Sequence, residues 1–198
     1  MPHPVRVGVL ALQGDVREHA SVLDDLGARV TLVRRAGELA QVDGLVLPGG
    51  ESSVIDKLAR AFELRDPIRS AIADGLPVFG TCAGLILLAD RISGAIAGQE
   101  TFGGLDVTVR RNAFGSQTAS FETDLDVPAL GSVPVRAAFI RAPLVEAVGA
   151  ATPLAALADG GVVAVEQGNL LATAFHPESA GEPRFHRRFL ERVAARAA

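Results

Sequence analysis

The chain has 198 residues, a formal net charge of −4, 48% hydrophobic and 21% charged residues, which fits one globular domain with a sizeable core and argues against disorder. Its single cysteine excludes an internal disulfide and a thiolate-rich metal site, and points to a reducing compartment, the cytoplasm. The mild acidity gives no general pull toward nucleic acid or anionic lipid, and no apolar run approaches the roughly 20 residues that span a bilayer.

The opening Met1-Pro2-His3-Pro4-Val5-Arg6 lacks the basic and apolar regions of an export signal, so the expectation is a protein with neither a membrane nor a nucleic-acid partner. Val5-Arg6-Val7-Gly8-Val9-Leu10 reads as a buried strand. Val16, Ala20, Leu23 and Leu26 then have helical spacing that Gly27 ends. Strands are predicted over 29–33 and 44–47, followed by a Pro48-Gly49-Gly50 turn. Ser53 with Asp56 three residues later resembles a capping box that starts a helix through Phe62. A further helical segment over 67–74 precedes a strand at Val78.

Short, almost wholly apolar strands alternating with helices predict an α/β fold, a doubly wound and mostly parallel sheet flanked by helices. From Phe102 the texture turns β-rich, with strands over 105–110, 121–126, 135–140, 161–167 and 170–175, and a tight hairpin loop within Glu166-Gln167-Gly168-Asn169-Leu170. These make an antiparallel extension, and an amphipathic helix over 184–197 closes the chain. No linker or repeat divides it, so residues 1–198 are taken as a single domain.

The cysteine sits in Gly80-Thr81-Cys82-Ala83-Gly84, between the apolar run Pro77-Val78-Phe79 and Leu85-Ile86-Leu87-Leu88. This is the cysteine form of the G-x-S-x-G nucleophile elbow, where small neighbours permit a sharp strand-to-helix turn that exposes the reactive atom. A helix N-terminus beneath the sulfur favours the attacking thiolate. Such a nucleophile needs a base and an orienting group behind it. Of the four histidines, His3 lies in a proline-flanked terminus, His19 inside the first helix and His186 on the charged closing helix. His176 instead follows a strand, and in an extended His176-Pro177-Glu178 segment the imidazole and carboxylate point to the same side.

The expected triad is therefore Cys82, His176 and Glu178. Gln13, Gly49-Gly50 and Cys82 all follow strands, so the fold puts them on one rim of the sheet. Backbone N–H groups near Gly50 and at Ala83 are candidate oxyanion donors. No phosphate loop, dinucleotide fingerprint or metal-ligand cluster is recognisable, so no metal or cofactor is expected.

The elbow with a later His-Pro-Glu resembles the triad glutamine amidotransferases, whose glutaminase domains release ammonia from glutamine. Within that group the chain is similar to the glutaminase subunits of pyridoxal phosphate synthases. Pro48-Gly49-Gly50-Glu51-Ser52 also carries the match, and the discriminating stretches are Gly8-Val9-Leu10-Ala11-Leu12-Gln13-Gly14 with Arg17-Glu18-His19, Arg111-Asn112-Ala113-Phe114-Gly115 and Phe139-Ile140-Arg141-Ala142-Pro143. The resemblance implies L-glutamine as substrate, with Gly50, Glu51, Ser52, Arg111, Ile140 and Arg141 lining its site.

A guanidinium suits the α-carboxylate of glutamine, although Arg111 and Arg141 also read as structural ion-pair residues. Gln13 is implied near the oxyanion region and a partner interface. The implied partner is a separate (β/α)-barrel synthase subunit that builds pyridoxal 5'-phosphate from the delivered ammonia, and activity alone is expected to be low. A glutaminase serving another synthase, such as imidazole glycerol phosphate synthase, and a non-enzymatic regulatory module of the same fold remain alternatives. One departure stands out: after His-Pro-Glu the family commonly runs Leu-Thr-x-Asp, where this chain has Ser179-Ala180-Gly181-Glu182.

Overall fold

In chain order the elements begin β1 (Arg6–Leu10), α1 (Val16–Asp25), β2 (Arg29–Val33), α2 (Ala36–Leu39), β3 (Gly44–Leu47), α3 (Ser52–Ala61), α4 (Arg65–Ala73), β4 (Val78–Thr81) and α5 (Ala83–Leu88). They continue as β5 (Ala89–Ser93), β6 (Leu105–Arg110), β7 (Phe121–Leu125), β8 (Val135–Phe139), β9 (Leu144–Val148), β10 (Thr152–Ala156), β11 (Val162–Gln167), β12 (Leu170–Thr173) and α6 (Arg184–Ala197). The structure, a computed structural model, describes residues 4–113 and 120–197, so His3 and the Phe114-Gly115 end of the arginine motif lie outside the described residues.

The main sheet has the order β2-β1-β3-β4-β12-β11-β9-β6-β5, with β10 also paired to β11, while β7 and β8 form a separate ribbon. From β2 to β12 every neighbour is parallel, and β11, β9 and β6 continue the sheet antiparallel. The expected mostly parallel core with an antiparallel extension is found. Because β1 lies between β2 and β3, the strand order reverses there, and the carboxyl ends of β1 and β3 open a crevice.

Period-two alternation in β4 shows how both faces are covered. Phe79 packs edge-on to His19 of α1 and His186 of α6 and against Phe185 and Phe189. On the opposite face Gly80 lies under α5, where a Cβ would come within 2.6 Å of the Gly84 backbone. Gly84 in turn leaves no room, since its Cβ would sit 2.2 Å from the Leu47 carbonyl oxygen. The two glycines of the elbow are thus demanded by close backbone packing, which lets α5 fold directly back over β3 and β4.

Several boundaries differ from expectation. α3 begins at Ser52 with Glu51 as its N-cap, accepting the Ser53 N–H, so Ser53 and Asp56 do not make a capping box. Glu51 is still extended while Ser52 is already helical, and buried Asp56 instead accepts from Arg60 and from the Glu100 N–H. β12 stops at Thr173, opposite the end of β4 at Thr81, and the Thr173 hydroxyl donates to the Phe175 carbonyl as the chain turns away.

The His-Pro-Glu segment is consequently a turn rather than extended, its His176 carbonyl accepting the N–H groups of Ser179 and Ala180. α2, β5, β9 and β10 were not expected. β5 carries Asp90 and Arg91 at a sheet edge, and β10 carries Pro153, which an edge strand tolerates, so neither shows the apolar pattern of a central strand. The hairpin between β11 and β12 turns on Gly168 and Asn169 as expected, with Gly168 at φ 54°. Among the described residues no helix is long and apolar enough to cross a membrane.

Candidate active site

Cys82 joins β4 to α5 with φ 48° and ψ −98°, a conformation that a non-glycine residue holds at a cost of about 1–3 kcal/mol. It opens onto a cavity of about 530 Å³ lined by Gln13, Asp15, Gly50, Glu51, Cys82, Asn112, Ile140, Arg141, His176 and Ser179. Among the described residues only Glu63, Cys82, Asn112 and Arg141 are non-glycines with positive φ, and the last three all line this cavity. Backbone strain is concentrated where side chains must be aimed.

His176 reaches the cavity from the turn after β12, its own N–H donating to the Ala138 carbonyl of β8. Its Nδ1 lies 2.8 Å from Glu178 Oε1 and 3.2 Å from Asp15 Oδ2, which leaves Nε2 for the side facing the sulfur. Burial pulls the His176 pKa down, but hydrogen bonds with Asp15, Cys82 and Glu178 outweigh it and push the value up to about 12 from 6.5. Burial raises the Glu178 pKa above the ordinary carboxylate range, against the opposing pull of His176. The two shifts have separate causes: desolvation governs the carboxylate, and three partners govern the imidazole.

Asp15, His176 and Glu178 each place one ligand atom within 4.8 Å of the others. Both carboxylates converge on the same nitrogen, an arrangement that one proton on Nδ1 satisfies.

The glycine turn after β3 forms the facing wall. A Cβ on Gly49 would stand 2.4 Å from His176 Cε1, and one on Gly50 would stand 2.5 Å from Gln13 Oε1. Gln13 Oε1 accepts the Glu51 N–H at 2.8 Å, tying the end of β1 to this turn. Ser52 and Arg111 are not among the lining residues. Arg111 donates to Glu51 Oε1 and to Gln99 Oε1 at 2.6 and 2.7 Å, while Gln99 Nε2 donates to Ser52 Oγ at 2.9 Å. The structure therefore brings Cys82, His176, Glu178, Gly50, Glu51, Ile140, Arg141 and Gln13 together, with Ser52 and Arg111 in a hydrogen-bonded layer behind Glu51. Ala83 is the first residue of α5, immediately after the sulfur-bearing residue.

Residues 9–195 match the SNO glutamine amidotransferase family. This chain belongs to that family. Among its relatives, the pyridoxal 5'-phosphate synthase subunit PdxT of Clavibacter michiganensis subsp. michiganensis is 67% identical, over 94% of this chain and 90% of that one. The PdxT of Leifsonia xyli subsp. xyli is also 67% identical, over 96% and 97%. A crystal structure of a glutamine amidotransferase superposes with a TM-score of 0.88 at 46% identity, covering 94% of this chain and 98% of the other. PurLQS from Thermotoga maritima, with a TM-score of 0.72 at 17% identity, shares the fold.

In this SNO family chain the cavity also takes Asp15, Asn112 and Ser179, none of which the sequence reading placed there. Asn112 carried a legible signal, since asparagine tolerates the left-handed conformation it adopts at φ 49°. The largest omission is behind the cavity. His19 and His186, passed over as helix residues, are both fully buried, with His19 Nδ1 2.9 Å from His186 Nε2 and His19 Nε2 3.0 Å from Thr81 Oγ1. Their signal was position: His19 lies between Val16 and Leu23 on the apolar face of α1, and His186 shares a stripe with Phe189 and Val193.

Burial lowers the His186 pKa to about 4, although Glu182 opposes it, and burial lowers His19 well below 6.5. Unfolded, both imidazoles take protons near pH 6.5, so between about pH 6.5 and 4 the unfolded chain binds more protons than the folded one. Stability should fall as pH falls through that window, with His186 contributing on the order of 3 kcal/mol. Urea unfolding across this range checks it, and the acid slope should be shallower in His186→Leu. His176, raised rather than lowered, contributes stability that is lost only as pH rises from about 6.5 toward about 12.

Proposed function

We propose that this chain hydrolyses L-glutamine to L-glutamate and ammonia and is the glutaminase subunit of a pyridoxal 5'-phosphate synthase, with residues 1–198 acting as one glutaminase domain. The observation that carries the reading is the convergence of Cys82 and His176 on one cavity, with Glu178 2.8 Å behind the imidazole, in a chain whose relatives are named as subunits of that synthase.

The chemistry follows from the proton held by His176. The thiolate form of Cys82 attacks Cδ of the glutamine carboxamide, and the carbonyl oxygen becomes a tetrahedral oxyanion facing backbone N–H groups near Gly50 and at Ala83. His176 then donates its Nε2 proton to the leaving nitrogen, the C–N bond breaks and ammonia departs, leaving a γ-glutamyl thioester on Cys82. Water enters, neutral His176 removes its proton as it attacks the thioester, and collapse of the second oxyanion expels the Cys82 sulfur and frees glutamate.

Glu178 holds the ring with Nδ1–H toward the carboxylate, the tautomer and orientation that both steps need. Arg141 and Ile140 border the space for the α-carboxylate end of the substrate, and Glu51 offers a carboxylate to its ammonium. Arg111 and Ser52, tied through Gln99, fix Glu51.

Ammonia released into water is protonated or lost, so hydrolysis is useful only when a synthase subunit is docked. That subunit is a (β/α)-barrel, and its docking near Gln13 raises an otherwise low activity, because Gln13 holds the Glu51 N–H and with it the glycine turn. Glutamate release, measured with purified chain alone and with the pyridoxal 5'-phosphate synthase barrel, tests this. The expected result is low turnover alone, a marked rise in complex, and covalent labelling of Cys82 by an electrophilic glutamine analogue. Turnover only with another synthase would assign the chain to that partner, and no labelling or turnover with any would leave a binding module of this fold.

A further inference from the structure

Behind Glu178 lies a chain of buried polar atoms that take no part in the bond-making steps of glutamine hydrolysis. His19 Nε2 is 3.5 Å from Glu178 Oε1 and 3.0 Å from Thr81 Oγ1, and His19 Nδ1 is 2.9 Å from His186 Nε2. Among the described residues, Glu178 Oε2 and His186 Nδ1 are buried without a hydrogen-bond partner. The cluster joins α1, the end of β4, the turn after β12 and α6, and His19, Thr81 and His186 are fully buried.

Proton counting decides how it is wired. A neutral imidazole has one N–H, and only one hydrogen fits between His19 Nδ1 and His186 Nε2. If His19 donated it, the His186 proton would sit on the partnerless Nδ1, and the His19 Nε2 lone pair, accepting from the Thr81 hydroxyl, would also face the Glu178 carboxylate. A buried orphan N–H and a lone pair against a carboxylate are both unfavourable. If His186 donates, its Nδ1 keeps only an unused lone pair, the less costly vacancy, and His19 Nε2–H bonds Thr81 Oγ1 with its positive end toward Glu178 Oε1.

We propose that His186 and His19 form a donor relay that presents an N–H to the buried Glu178 carboxylate, making His19 a positioning residue for the ring of His176 and His186 the residue that fixes the tautomer of His19. The relay acts through the triad and so rests on the glutaminase reading above. Both imidazoles are held neutral by burial, which suits a donor chain rather than an ion pair. The titratable groups facing the cluster are Asp15 and His19 from α1 and its cap, Cys82 through His176, His176 beside Glu178, and Glu182 and His186 from the last turn and α6.

Without the N–H of His19, Glu178 takes a proton at higher pH and stops orienting His176. In complex with the synthase barrel, His19→Leu should lose about tenfold in kcat with KM unchanged, and the acid limb of its pH profile should move up by about one pH unit. His19→Gln, whose amide can donate from a similar position, should recover most of the rate and the original limb. His186→Leu should behave like a weaker His19→Leu. Equal losses in His19→Leu and His19→Gln with an unmoved acid limb would reduce the pair to packing and overturn the relay.

Nitrogen-15 NMR of the imidazoles in the full wild-type chain is independent of turnover. A proton on His19 Nε2 and a bare Nδ1 are expected, and the reverse tautomer overturns the wiring even if the variants fail to fold. An inactive wild-type complex would instead strike at the glutaminase reading, with the NMR still deciding which way the two histidines are wired.

Discussion

Replacing Cys82 by alanine is expected to lower glutamine hydrolysis in the synthase complex by at least about 10³-fold, because among the described lining residues no other thiol is present and the carboxylate nearest His176, Asp15, lies against Nδ1 rather than against the Nε2 side where the sulfur sits. The Gln13, Asp15, Glu51, Asn112 and Ser179 side chains supply amides, carboxylates and an unactivated hydroxyl, none with a neighbouring base aimed at it. The fold should survive. The substitution removes one sulfur atom from a small, mostly buried side chain and leaves the strained backbone at φ 48° unchanged, so the melting temperature should move by only a few degrees. Glutamine binding should persist, since Gly50, Glu51, Ile140 and Arg141 are untouched. Glutamate release and a thermal melt on the same preparation separate the two effects, and near-normal turnover in Cys82→Ala would end the thiol mechanism.

The parts of this site that were legible in the sequence share a property: each is forced by local chain geometry. Gly80 and Gly84 flank Cys82 because α5 must touch β3 and β4, and a glycine is visible in a sequence even when the contact that requires it is not. Gln13, Gly50 and Cys82 fall on one rim because all three follow parallel strands, so strand order alone brings them together.

The His176–Glu178 pair was found for a reason only half right. The expected extended segment is a turn, yet the two side chains still meet, because the turn's backbone hydrogen bonds to the His176 carbonyl place residue 178 back beside the ring. What was not legible depends on contacts between distant segments. Asp15 reaches His176 only because α1 and the turn after β12 meet, and His19 finds His186 across 167 positions of sequence. The edge strands β5 and β10 escaped for a different reason, since charge and proline hide an edge from any test based on apolar runs.

A methyl group placed where no catalytic residue stands should be almost as damaging as losing the nucleophile. In Gly49→Ala the new Cβ would lie 2.4 Å from His176 Cε1, 2.8 Å from its Nδ1 and 2.7 Å from Asp15 Oδ2. Ordinary contact needs about an ångström more, and the ring cannot yield freely because Glu178 holds Nδ1 and the Ala138 carbonyl holds the backbone. His176 must therefore move away from the cavity or break from Glu178, and a displacement of about 1 Å in a catalytic group costs about 10²-fold in rate.

Gly49 itself has an ordinary backbone conformation, so alanine there brings no φ penalty, and the strain falls on the ring rather than on the fold. Gly14→Ala is the contrasting case. Its Cβ would fall 1.8 Å from the Gly49 carbonyl oxygen at φ 106°, a backbone clash in a left-handed position, and it should lose stability as well as activity. The expected pattern is a kcat for Gly49→Ala down about 10²-fold with a melting temperature within a few degrees of wild type, against a clear drop in melting temperature for Gly14→Ala. Near-wild-type kcat in a folded Gly49→Ala would mean that the placement of this imidazole does not limit the reaction.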